Sequence, residues 1–251
     1  MKILLGKVIN ELNSSSLEDL LLAQEVADET DAELDIRNIG VLMFAEHPEK
    51  LIPGAKIELI RFNTEEEASD DFIEKTFTGP IWKQVQDALD YIKATVIEEK
   101  VVKIQGKAES ERFFNYPYNL EEALVNAVFH KSYREEEPVE IRIYVDSIQI
   151  LNYPGLAKWI NLEKFETGKI RGRKYRNRRI GELFKEIDLS EKKGTGISKI
   201  LRELSQNGSP KPEFEMDDDR NYLNTIIRIR KGFEKESGLE KQAKISNEAL
   251  N

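Results

Sequence analysis

The segment from Asn119 to Tyr133 constrains the fold more than any other part of this sequence. On the side opposite an apolar stripe, Glu122, Asn126 and His130 recur at every fourth position and therefore line up along a predicted helix. The pattern predicts a helix whose polar line faces a half-apolar cleft, where a carboxylate and a carboxamide can meet a metal-bound phosphate. The stripe that we expect to face the core comprises Leu120, Ala123, Leu124, Ala127 and Val128, and the residues bordering the polar line are Val125 and Phe129.

Each of these polar residues also has a structural interpretation. Asn119 followed three residues later by Glu122 is a capping box, in which the glutamate only satisfies a free backbone N–H at the helix start. Asn126 lies mid-helix, where an asparagine has no capping role, so we favour a ligand role for it. We interpret His130 as a packed or hydrogen-bonded residue at the helix end, where a cation suits the helix dipole.

Composition excludes several classes of site. The chain of 251 residues has no cysteine and two histidines, which rules out disulfides, thiolate metal sites, cysteine nucleophiles and multi-histidine metal centres. A formal net charge of −9 argues against a surface that binds nucleic acid over its whole extent. No apolar run approaches the roughly 20 residues that cross a bilayer, and no signal peptide is apparent, so we predict a cytoplasmic protein with no membrane partner.

Apolar periodicity predicts an α+β protein, with a mixed or antiparallel sheet covered by helices. We expect a smaller α/β domain over residues 1–110, a second domain over 111–232, and a flexible tail or the start of a further helix over 233–251. Residues 1–34 look helical, and a hairpin is expected at 138–152. The other expected helices lie near 81–96, 119–130, 180–187 and 197–204, and the other strands at 55–62, 101–105 and 222–230; the apolar run 38–44 is a buried helix or strand.

Two further segments suggest anion binding. Lys192-Lys-Gly-Thr-Gly196 precedes a predicted helix, where glycines let backbone N–H groups turn toward an anion, although they can also be simple turn glycines. Residues 169–179 carry seven positive charges, which suits a lid over a phosphate chain or a patch that contacts nucleic-acid phosphates better than a solvated loop. The sequence does not separate the lid from the patch.

The order of these segments resembles the GHKL-type ATPase domain of proteins labelled RecG-related or Schlafen-like AlbA-domain transcriptional regulators. The resemblance covers about residues 35–230 and implies a Bergerat-type α/β sandwich. Glu122–Tyr133 resembles the N-box of that family, Glu140–Gly155 its hairpin and first glycine box, Glu191–Ile200 its second glycine box, and residues 38–44 and 53–62 the segment that precedes the domain.

The resemblance implies ATP and Mg²⁺ as ligands. It implies that Asn126 coordinates Mg²⁺, a cation that prefers oxygen ligands, and that Glu122 orients or activates the attacking water. Asn152 and Gly155 would lie near the adenine, whereas the second glycine box would contact the phosphates. The implied cofactor-binding set is Asn152, Gly155, Lys192, Lys193, Gly194, Thr195 and Gly196.

The sequence departs from the family pattern at the first glycine box. The family reads the adenine amino group with an aspartate, whereas this chain has Asn152, followed by Tyr153-Pro154. An amide accepts a hydrogen bond more weakly than a carboxylate does, and the second box is short. These departures weaken the expectation of hydrolysis more than that of binding.

Two functional classes follow. The first is an ATP- and Mg²⁺-binding regulatory module of a DNA-binding transcriptional regulator, with hydrolysis left open and a homodimer allowed. The second is a non-catalytic interaction domain with a degenerate nucleotide site that binds DNA or a protein through residues 169–179. The sequence lacks G-x-x-x-x-G-K-[ST], so a P-loop helicase motor is not encoded. In this family DNA-contacting domains would precede and follow the segment, so we expect it to be the central part of a longer protein.

Overall fold

The computed structural model describes residues 17–30, 34–63, 71–103, 110–118, 120–170, 175–189 and 196–233. Within these ranges the helices are α1 (Leu17–Ala23), α2 (Asn38–Phe44), α3 (Ile81–Thr95), α4 (Glu121–His130), α5 (Leu162–Glu166), α6 (Arg178–Glu186) and α7 (Gly196–Asn207), with a short 3-10 helix at Pro48–Lys50. The strands are β1 (Ala27–Glu29), β2 (Leu34–Ile36), β3 (Ile57–Phe62), β4 (Phe72–Phe77), β5 (Glu99–Lys103), β6 (Ser110–Phe114), β7 (Val139–Ile143), β8 (Ser147–Asn152), β9 (Glu213–Glu215) and β10 (Leu223–Arg228).

A six-stranded mixed sheet organises the described part of the chain, in the order β4-β3-β7-β8-β10-β9. The pair β3–β7 is parallel, with Ile57 opposite Val139, and the other pairs are antiparallel. The strands β1–β2 and β5–β6 form separate two-stranded ribbons. The predicted α+β class, with a mixed sheet flanked by helices, is confirmed.

The apolar residues that alternate along the strands and those that recur at helical spacing are buried together in one hydrophobic core. The inward-facing residues of β3 and β7 pack in the same cluster as the apolar face of α3 and the stripe predicted for α4. All five residues of that stripe are buried, and so is Val125. The hairpin β7–β8 turns at Asp146 as predicted, where the Tyr144 N–H donates to the Ser147 carbonyl at 2.8 Å. The core therefore fixes the rotation of α4 about its own axis.

The structure differs from the sequence prediction in the first half of the chain. The described residues within 1–34 form one short helix and parts of the β1–β2 ribbon, because their apolar residues are too irregular to bury a long helical face. The N-cap of α4 is Leu120, which makes no side-chain cap. The capping box that pairs Glu122 with Asn119 stays a prediction. Asn119 lies outside the described residues.

The predicted division near residue 110 runs through a shared sheet. Strands β3 and β4 precede that position, yet β3 pairs directly with β7, which follows it. Residues from both sides also share the hydrophobic core. The described packing therefore joins residues on both sides of the division in one sheet and one core.

Candidate functional site

The polar side of α4 faces a cavity of about 930 Å³. Glu122, Asn126 and His130 all border the cavity, as do Val125 and Phe129. The remaining walls come from the ends of β8 and β10, the segment after β8, α6 and the start of α7. The half-apolar cleft predicted from helical spacing is therefore present.

Glu122 and Asn126 are joined to each other and to Lys199 of α7. The Asn126 Nδ2 donates to Glu122 Oε1 at 3.2 Å, and the Lys199 Nζ lies 3.6 Å from Glu122 Oε2. The Lys199 and Glu122 side chains are only 12% and 15% exposed. Because the amide nitrogen of Asn126 points to the carboxylate, its Oδ1 is the atom suited to a hard cation.

Gly196, the first residue of α7, packs directly on this pair. A Cβ at Gly196 would lie 2.6 Å from Asn126 Nδ2 and 2.7 Å from Glu122 Oε1, closer than non-bonded atoms can approach. Any larger residue would have to displace the Asn126 and Glu122 side chains, and the glycine brings the N-terminus of α7 against the acidic and amide groups of α4. The structure thus brings together Glu122, Asn126 and Gly196. Lys192, Lys193, Gly194 and Thr195 lie outside the described residues.

Asn152 at the end of β8 presents an unpartnered acceptor to the same cavity. Its side chain borders the cavity and is only 4% exposed, and its Oδ1 accepts no hydrogen bond from the described residues. A buried polar atom without a partner costs about 1–3 kcal/mol, so such atoms are uncommon unless a ligand supplies the bond. The position suits a ligand that carries an N–H group.

Gly155 contributes through close packing. Its N–H donates to the Arg220 carbonyl at 2.9 Å, and a Cβ would lie 2.3 Å from the Tyr222 carbonyl oxygen. The residue borders the cavity, but its backbone donor is already used within the fold. Its role in the structure is to let the chain pass close to the segment before β10.

Sequence reasoning missed the wall formed by residues 156–170. This segment includes α5, which begins with a cap in which Asn161 Oδ1 accepts from the Lys164 N–H at 2.9 Å. The Asn161-Leu-Glu-Lys164 sequence is a recognisable helix start, so this element was detectable. The wall residues are mainly apolar: Leu156, Ala157, Trp159, Ile160, Phe165, Gly168 and Ile170.

Part of the basic run holds the C-terminal end of α4. The Asn177 Nδ2 donates to the carbonyls of Phe129 at 2.9 Å and Lys131 at 2.7 Å, and the Arg176 Nη1 donates to that of His130. Burial, followed by the charge of Arg176, lowers the pKa of His130 to about 4. His130 is therefore a neutral packed residue at neutral pH, and the cation at this helix end is Arg176.

The next two arginines of the run are also engaged within the fold. Arg178 and Arg179 both donate to the Glu182 carboxylate, and the Arg179 guanidinium also donates to the Gln24 carbonyl, after α1. Lys169 donates its N–H to the Lys164 carbonyl at 2.8 Å. Arg171, Arg173 and Lys174, the other cations of the run, lie outside the described residues.

A family model matches residues 136–226, and its description is "Putative ATP-dependent DNA helicase recG C-terminal". The chain therefore resembles an ATPase-like module over β7 to β10. The match includes Asn152, Gly155 and the second glycine segment, but it begins after α4. The involvement of Glu122 and Asn126 consequently depends on the geometry described above. Among curated proteins, none matches the sequence.

The fold is similar to that of the DIP2311 protein from Corynebacterium diphtheriae, known from a crystal structure. The TM-score is 0.64 at 19% sequence identity, and the similarity covers 87% of this chain. It covers 42% of the DIP2311 chain. This similarity supports the fold alone.

No helix in the described part of the chain is long and apolar enough to cross a membrane. Among the same residues, no group of three His, Cys, Asp or Glu side chains is placed to hold a metal ion. Mg²⁺ that binds together with phosphates commonly takes few protein ligands, so a single Asn126 Oδ1 is compatible with it.

Proposed function

We propose that this chain is an ATP- and Mg²⁺-binding module with the capacity for slow ATP hydrolysis. The observation that carries the proposal is the convergence of three features on one cavity: the Glu122–Asn126 pair, the close-packed Gly196 and the unpartnered Asn152. The ATPase-like family match supports the same class of ligand. A nucleoside triphosphate carries an aromatic base at one end, which suits Asn152, and phosphates at the other, which suit the groups of α4 and α7.

Each group has a distinct role in the proposal. Asn152 Oδ1 accepts a hydrogen bond from the adenine amino group, and Asn126 Oδ1 holds Mg²⁺. Bound Mg²⁺ supplies neutralisation of the phosphate charge. The N-terminus of α7 points N–H groups toward the phosphates, and α7 is long enough for its dipole to favour an anion there.

Glu122 is the general base of the proposed hydrolysis. Its carboxylate takes a proton from the water that attacks the terminal phosphorus, while ADP leaves with the bridging oxygen. The Lys199 ammonium lies 3.6 Å from Glu122 Oε2 in a poorly exposed site and balances the charge of this carboxylate. The amide of Asn126 restricts the carboxylate to one orientation.

The wider role that we propose is regulation of a DNA-binding protein through the nucleotide state of this module. The DNA contacts would come from neighbouring domains or from the basic run 169–179. Salt-dependent binding of this chain to duplex DNA would support the second source, because phosphate contacts weaken as salt rises. The alternative of a non-catalytic interaction domain predicts no nucleotide binding.

Isothermal titration with ATP tests the proposal. We expect binding in the presence of Mg²⁺ and weaker binding after chelation with EDTA. The isosteric change Glu122→Gln should retain ATP binding and abolish phosphate release, because it removes the base without emptying the site. Absence of ATP binding by the unaltered chain would contradict the proposal.

A further inference from the structure

The indole of Trp159 lies half exposed on the cavity wall, and the fold gives it no partner of its own. It is 48% exposed, and no described residue accepts a hydrogen bond from its N–H or stacks an aromatic ring on it. The other tryptophan of the chain, Trp82, packs against the core and donates its Nε1 to the Met43 carbonyl at 3.0 Å. The contrast indicates that Trp159 is not explained by core packing.

A clamped turn holds the backbone at Trp159. The Ile160 N–H donates to the Ala157 carbonyl at 2.9 Å and closes the turn. The Arg220 Nη1 then donates to the carbonyls of Ala157 at 2.7 Å and Ile160 at 3.1 Å. Because the backbone is already held in place, only the side chain of Trp159 loses conformational freedom when a ligand binds to it.

The chemistry around Trp159 matches a flat heteroaromatic ring. Asn152 Oδ1 lines the same cavity and lacks a donor, and the nearby wall is apolar at Leu156 and Ile160. A ring that stacks on an indole and carries an amino group satisfies both features, because every nucleobase has a π-face and adenine has an exocyclic amino group.

We infer that Trp159 is the base-stacking residue of the site and that it gives purine nucleotides an advantage over pyrimidine nucleotides. The inference rests on the proposed nucleotide function, which it extends to the choice of base. The purine advantage follows from ring area, since the larger purine covers more of the indole than a pyrimidine does. The charged end of the cavity, at α4 and α7, takes no part in this preference.

Isothermal titration of the unaltered chain, Trp159→Ala and Trp159→Phe tests the inference, with ATP, CTP and inorganic tripolyphosphate, each with Mg²⁺. We expect Trp159→Ala to weaken ATP binding about tenfold, the order of effect found when a base-stacking aromatic is removed. Trp159→Phe should retain part of the affinity, and tripolyphosphate should bind all three proteins equally. Trp82→Phe is the matched control and should bind ATP like the unaltered chain.

The outcomes separate this inference from the function on which it rests. Equal ATP affinity of Trp159→Ala and the unaltered chain would overturn the stacking role and leave the nucleotide site intact. A loss of tripolyphosphate binding equal to the loss of ATP binding would show that Trp159 supports the fold rather than the base. Failure of the unaltered chain to bind ATP would overturn both proposals.

Discussion

The two ends of the cavity differ in how the fold satisfies their polar groups. At the α4–α7 end, Glu122 is contacted by both Asn126 and Lys199, and Gly196 packs against the same pair. At the β8 end, Asn152 Oδ1 and the Trp159 indole have no partner among the described residues. The fold thus pre-arranges one end and leaves the other to be completed by a ligand.

This difference indicates how each end of the cavity would contribute to the free energy of ligand binding. Groups that are already oriented need little reorganisation when charge arrives, which favours stabilisation of phosphates and of a reaction at them. A buried acceptor without a partner lowers the free energy of unfolding of the free protein. A ligand that donates a hydrogen bond to it removes this cost and so binds more tightly. Packing changes at the α4–α7 end should therefore weaken ligand binding. At the β8 end, a change that stabilises the free protein should lower its affinity for the ligand.

The largest effect is expected from Gly196→Ala. The new Cβ would push the Asn126 and Glu122 side chains out of their present positions. Restoring them on binding would cost about 1–3 kcal/mol, so ATP affinity should fall by up to about a hundredfold. Gly54→Ala is the matched control, because its Cβ would meet the Glu135 carbonyl oxygen at 2.4 Å outside the cavity. Isothermal titration measures the ATP affinity of both variants. An equal loss of affinity in the two would contradict the assignment of Gly196 to the site.

The next effect concerns Lys199, which should matter for hydrolysis more than for binding. Lys199→Met removes the positive charge beside Glu122, so phosphate release should fall at least about tenfold while ATP affinity changes little. Lys199→Arg should restore most of the rate. An undiminished rate of phosphate release in Lys199→Met, or no recovery of the rate in Lys199→Arg, would exclude this positioning role.

A smaller effect, with opposite signs at the two sites compared, is expected from replacing asparagines with leucine. Asn152→Leu should raise the free energy of unfolding by about 1 kcal/mol, because it removes an unpartnered buried acceptor, and should weaken ATP binding. Asn177→Leu should lower the free energy of unfolding by about 1–3 kcal/mol, because it removes two bonds to α4 carbonyls. Denaturant unfolding measures both. Destabilisation by Asn152→Leu would show that its Oδ1 is satisfied in the free protein.

The last effect, the acid sensitivity of the packed end of α4, is absent at neutral pH and appears only in acid. The pKa of His130 is lowered to about 4 in the folded chain, so the unfolded chain binds more protons between pH 6.5 and 4. Stability should be complete above pH 6.5 and fall as the pH drops, by up to about 2 kcal/mol between pH 6.5 and 5. His130→Gln should flatten this dependence, whereas His47→Gln should not. An unchanged slope in His130→Gln would contradict the burial of a neutral ring.

The sequence predicted those helices and strands whose buried residues recur at regular spacings. The buried stripe and polar line of α4, the β7–β8 hairpin and the start of α7 follow from spacings of three, four and two residues. Strand β4 was missed because it is an edge strand whose first five residues are exposed, so it carries no alternation of buried and exposed residues. The parallel pairing of β3 with β7 depends on contacts between distant segments, which no local pattern encodes.

The candidate site was predictable to a similar extent. Glu122, Asn126 and Asn152 were identified from motif order, and the structure places all three on one cavity. Trp159 was missed because its position depends on the Arg220 side chain, 63 residues along the chain from Ala157. The salt bridge of Lys199 to Glu122 was equally hidden, because it joins two helices that only the tertiary fold brings together.

The most direct test of the account is the melting temperature with and without ATP and Mg²⁺, for the unaltered chain and Asn126→Ala. At a ligand concentration of about a hundred times the dissociation constant, binding adds about 2.7 kcal/mol, which corresponds to a rise of roughly 5–10 °C for a chain of this size. We expect this rise in the unaltered chain, its loss in Asn126→Ala, and its retention in Asn207→Ala, a control whose asparagine bonds the Phe114 carbonyl away from the cavity. No rise at millimolar ATP, or the same rise in Asn126→Ala, would contradict the assignment of the nucleotide site to α4.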